Sequence, residues 1–76
     1  MEKHDLHHEF PEHQQKIHDL KVGNAHFRKL FDDYHKVNND IYRIETGAEA
    51  TSDEVLNEFR MNRVFLKDEI YSMLLD

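Results

Sequence analysis

Two stretches of this chain carry the same apolar spacing in mirror order, and that match constrains the fold more than any other feature. In the first, Phe27, Leu30, Tyr34, Val37, Ile41 and Ile44 follow one another at alternating intervals of three and four residues. In the second, Leu56, Phe59, Arg63, Leu66, Ile70 and Met73 repeat the pattern. Such intervals average about 3.5 residues, the seam of two helices packed side by side. Folded back at a turn, the stretches pair in order: Ile44 with Leu56, Ile41 with Phe59, Val37 with Arg63, Tyr34 with Leu66, Leu30 with Ile70 and Phe27 with Met73. The residue numbers of every pair add to the same value, so one register serves the whole seam and a slip loses several layers at once. A second constant register sets Glu45 opposite Arg60, Asn38 opposite Lys67 and Phe31 opposite Leu74 along one flank. The fold class is therefore all-α, an antiparallel coiled-coil-like helical hairpin of about residues 25–45 and 52–75.

The glycines and the proline fall where boundaries are wanted. Pro11 suits a first helical turn, where its missing N–H leaves nothing unsatisfied. A short helix is expected over about residues 11–22, with Phe10, His13, Ile17 and Leu20 on one face, docking at the open end of the hairpin. Gly23 and Asn24 close it, and Asn24 serves as N-cap of the next helix. Residues 46–50 make the turn, and Thr51 with Glu54 reads as a capping box opening the last helix. Arg63 is the polar member of the seam. Either its stem lies across Val37 with the guanidinium reaching water, or it is a device that fixes the register.

A chain of 76 residues sits near the lower limit for a single core, where disulfides, a metal or self-association commonly help. It contains no cysteine, which removes disulfides and thiolate zinc sites and fits a reducing compartment. Residues 10–76 are expected to form one helical domain, and residues 1–9 a disordered, histidine-rich segment.

The net charge of −6 is spread so that no segment is basic: residues 1–23 carry −2, residues 24–46 carry 0 and residues 47–76 carry −4. Such a field repels a phosphate backbone, so nucleic acid is not an expected partner. No apolar run approaches the ~18 residues that cross a bilayer, so no membrane association is expected. The first residues lack the basic and apolar blocks of a signal peptide, and a cytoplasmic location is the expectation.

Five of the seven histidines lie within the first eighteen residues. His4, His7 and His8 offer a weak divalent-metal site, with no spacing that fixes the rings; a solvated terminus is the competing reading. Full protonation of the histidines moves the net charge from −6 towards +1, so association is expected to vary with pH between about 5 and about 7.

No phosphate-binding glycine loop, metalloprotease motif or nucleophile elbow is present, so no catalytic residues and no cofactor are expected. The last helix is more informative. Besides its seam it carries Met61, Val64, Phe65, Tyr71 and Leu75, most of them on its outer side. A helix apolar on two faces is normally covered on both. Either the short helix covers part of this strip or the strip's residues are simply exposed, or else it suits a partner, another protein or a second copy in a homodimer. An interaction module is thus the leading reading, and histidine-based metal binding by the N-terminal segment is the alternative.

Phe10-Pro11-Glu12, Leu20-Lys21, Phe27 with Leu30-Phe31-Asp32, and Leu66-Lys67-Asp68-Glu69-Ile70 together closely resemble the YdcH-like family of short bacterial proteins, over about residues 10–75. The resemblance implies a short helical hairpin of unknown function in a bacterial cytoplasm. It implies no catalytic or binding residues, and residues 1–8 lie outside the shared pattern.

Overall fold

The chain turns wherever a backbone group finds a local substitute for a helical hydrogen bond. The computed structural model describes residues 6–75, except the side chain of His7. A single turn of helix, α1 (Leu6–Glu9), leads through a 3-10 turn at Pro11–His13 into α2 (Gln14–Gly23). Two long helices follow, α3 (Ala25–Glu45) and α4 (Asp53–Leu74). Pro11 stands at the start of the 3-10 turn, as its fixed φ favours. At the α2–α3 junction Asn24 adopts an extended conformation and its side chain accepts the Phe27 N–H at 3.0 Å, starting α3 where the sequence places it.

Gly47 closes α3. Its φ of +82° lies in the left-handed region, where a side chain is strained, and its N–H reaches the Ile44 carbonyl at 3.2 Å. The Glu49 N–H bonds the Arg43 carbonyl at 3.0 Å, and the two side chains meet at 3.4 Å, tying the loop back to the helix. The start of α4 corrects the expected capping box at Thr51. Ser52 is the cap, accepting the Val55 N–H at 3.2 Å. Both hydroxyl residues can cap, and choosing Ser52 puts Asp53 and Glu54 together in the first turn, beside the positive end of the helix dipole.

The hairpin pairs through the expected seam except at the turn end, where Ile44 is half-buried and stands outside the core. Phe27, Leu30, Tyr34, Val37 and Ile41 of α3 are buried, as are Leu66 and Ile70 of α4, with Leu56, Phe59 and Met73 packed at the margin. On the flank, Arg60 donates to Glu45 at 2.9 Å, the pair the second register requires. Arg63 is half-buried opposite the buried Val37.

Burial is uneven along the hairpin because the N-terminal segment covers only its open end. Phe10 and Ile17 join Phe27, Ile70 and Leu74 in the core there. At the turn end, where two helices pack with no third, Leu56 and Phe59 stay half-exposed. Leu6 is fully buried in the same core. Of the stretch 1–9 for which disorder is expected, residues 6–9 are described and form a helical turn, whereas residues 1–5 lie outside the described residues. The segment is held to both long helices. Lys21 of α2 sits 4.6 Å from the centre of the Phe31 ring on α3. Glu9 meets Lys67 of α4 at 3.6 Å, and the Phe10 ring stacks on Tyr71 of α4.

Candidate interaction surface

Helical periodicity gives α4 two apolar faces. The seam takes positions 56, 59, 63, 66, 70 and 73; about half a turn away lie Met61, Val64, Phe65 and Leu75. All four are exposed, Met61 by 73%, Val64 by 53%, Phe65 by 60% and Leu75 by 63%. Scattered apolar residues on a surface need no explanation, and Val22 and Tyr42 are of that kind. Met61, Val64 and Phe65, three and four residues apart on one helix, form a patch, and Leu75 stands apart from it at the C-cap of α4.

Tyr71, the fifth residue of the expected strip, belongs elsewhere. It lies on the flank of α4, stacked on Phe10 with ring centroids 5.2 Å apart, and the edge of His13 meets it at 6.2 Å. The short N-terminal segment thus covers one end of the strip at its side and leaves the outer face open. Tyr71 is covered at its side, whereas Met61, Val64, Phe65 and Leu75 stay exposed.

The charges of α4 are sorted as sharply as its apolar side chains. Of its cations, Arg63 lies in the seam, and Arg60 and Lys67 lie on the flank between the seam and Val64. Arg60 is paired with Glu45, Lys67 with Glu9, and Arg63 is in the seam itself. Among the described residues, exposed Glu58, Asp68 and Glu69 border the outer apolar patch and exposed Glu54 lies on the same face a turn earlier, while Arg60 and Lys67 stand beside Val64 on the flank, both already paired.

The flank of the hairpin not taken by the N-terminal segment carries a shallow groove of about 210 Å3, between Asp33, Lys36 and Asp40 on α3 and Phe59 and Asn62 on α4. Its ionic groups are spent within α3: Lys36 meets Asp40 at 3.2 Å, and Lys29 meets Asp33 at 3.0 Å. Nothing in it converges on a point where a ligand group could sit.

The histidines divide between two roles. His13 packs its edge on Phe10 and Tyr71, and His35 lies 4.4 Å from the Phe31 ring, so both act as aromatic packing pieces. Of the candidate ligands His4, His7 and His8, the first and the side chain of the second lie outside the described residues; His8 is exposed. Among the described residues no group of three or more His, Cys, Asp or Glu is placed to hold a metal ion. No helix among them is long and apolar enough to cross a membrane.

Neither a curated protein nor a solved structure matches the chain. A family model does: "Protein of unknown function (DUF465)" matches residues 27–74. That span is the hairpin itself, from the first seam residue of α3 to the last residue of α4, and it leaves out α1 and α2. A match over so much of the chain makes this protein a member of the DUF465 family.

Proposed function

We propose that the chain is a small non-catalytic interaction module, and that it engages a protein through the outer face of α4. The observation that carries this reading is the second apolar face: Met61, Val64 and Phe65 stand exposed on a helix whose opposite side already fills the core, with Leu75 exposed at its C-cap. Water-facing apolar side chains gathered on one face raise solubility risk without helping the fold, which favours a use for them in binding. The rest of the molecule supports the same reading. The N-terminal segment holds α4 from its flank through Phe10 and Glu9 without covering that face.

The module is proposed to act as a coiled-coil-like hairpin in a bacterial cytoplasm, as the resemblance to the YdcH-like family implies. Its test is a photo-activated cross-linker installed at position 61 of the full chain in the native cell. A discrete protein adduct is expected, falling at least about tenfold when Val64→Asp and Phe65→Asp are introduced together, with helix content by circular dichroism unchanged. The same cross-linker at Asp32, exposed on α3, gives the background. No adduct at position 61, or one indifferent to the two substitutions, would reject the proposal.

A further inference from the structure

We infer that the occupant of the α4 outer face is a basic amphipathic helix from another protein, and not a second copy of this chain. The inference rests on the reading of that face as an interaction surface and adds its chemistry. Apolar area alone does not choose between partners; the charges around it do. Glu54, Glu58, Asp68 and Glu69 lie on or beside the face of Met61, Val64 and Phe65, Arg63 is in the seam, and the two cations next to Val64, Arg60 and Lys67, are already paired with Glu45 and Glu9.

A homodimer through this face would be isologous, setting the same patch against itself across a two-fold axis. Each copy would bring those four carboxylates to the rim of the contact, and the cations beside it, Arg60 and Lys67, are already paired with Glu45 and Glu9, so the juxtaposition of like charge opposes docking. A helix with leucine- or methionine-like residues at i, i+3, i+4 and i+7 and lysines or arginines beside them satisfies both parts of the surface. Its apolar ridge meets Val64 and Phe65 while its cations reach the carboxylates. The same complementarity disfavours an anionic lipid surface. One helical face buries less than the ~800 Å2 per partner of a standard interface, so the complex is weak and dependent on its charges.

The probe is a pair of synthetic amphipathic helical peptides with the same leucine face, one flanked by arginines and the other by glutamates. Each is titrated into the full chain, followed by amide chemical shifts. The arginine peptide is expected to bind, with the largest shifts around Met61, Val64 and Phe65, and to lose at least about fivefold in affinity between about 0.05 and about 0.5 M salt. The glutamate peptide is expected not to bind.

Glu58→Lys with Asp68→Lys is expected to abolish binding of the arginine peptide, Glu58→Gln with Asp68→Asn to weaken it, and Asp19→Lys with Asp32→Lys to leave shifts on α4 in place. Equal binding of both peptides, binding of neither, shifts away from α4, or concentration-dependent pairing of the free chain through this face would each overturn the inference. A cross-link at position 61 that survives any of these results leaves the interaction module standing and shows that the partner's chemistry is different.

Discussion

The ring of Phe10 lies on the ring of Tyr71, centroids 5.2 Å apart and planes 14° from parallel, joining the N-terminal segment to the last helix across most of the sequence. Phe10 is nearly buried whereas Tyr71 keeps 40% of its surface in water, so the stack roofs the open end of the core and does not form its centre. A double-mutant cycle of Phe10→Ala and Tyr71→Ala should give a coupling of about 0.5–1.5 kcal/mol. Phe10→Ala alone should cost about 3 kcal/mol, since Phe10 is itself part of the buried core. Hydrogen exchange should show residues 6–23 loosened in either single variant while α3 and α4 stay protected. Loss of protection along the whole hairpin would show the segment to be integral to it.

The two glycines should respond to alanine with opposite signs. Gly47 sits at φ +82°, so Gly47→Ala should destabilise by about 1 kcal/mol despite the open space around it. Gly23 ends α2 at a negative φ, with open space where an alanine methyl would stand, so Gly23→Ala should stabilise by about 0.4–1 kcal/mol. Urea unfolding measures both, and shifts of the same sign would contradict the turn geometry.

Ser52 and Thr51 compete for the cap of α4, and substitution separates them. Ser52→Ala should cost about 1 kcal/mol and Thr51→Ala less than about 0.5 kcal/mol. Asn24→Ala should cost about 1 kcal/mol at the start of α3. A larger loss at Thr51 than at Ser52 would move the start of α4 back by one residue.

The Glu45–Arg60 pair has good geometry at 2.9 Å but both side chains are well exposed. Its coupling energy should be no more than about 0.5 kcal/mol and should fade in salt. A coupling of several times that value would mean the flank is drier than its exposure indicates. The pair reports register more than it supplies stability.

The hairpin was legible because several independent signals agree at each of its elements. Seam spacing, the Asn24 cap and Gly47 place α3 at Ala25–Glu45, and the flank register correctly sets Glu45 on Arg60. The α4 boundary was ambiguous by one residue because adjacent Thr51 and Ser52 carry the same capping chemistry. Leu6 was not legible: one apolar residue among charged and histidine neighbours has no period, and only docking buries it. The strip on α4 was visible as composition, but its division was not. Tyr71 leaves it because Phe10 arrives from a segment distant in sequence, which helix spacing alone does not place.

Sedimentation equilibrium of the purified chain at neutral pH, over a hundredfold range of concentration, tests most directly the claim that the outer face of α4 is kept for a partner of opposite charge. The mass of a monomer, 9.2 kDa, is expected throughout. A dimer that Phe65→Asp dissociates would contradict it and place a second copy of the chain on that face.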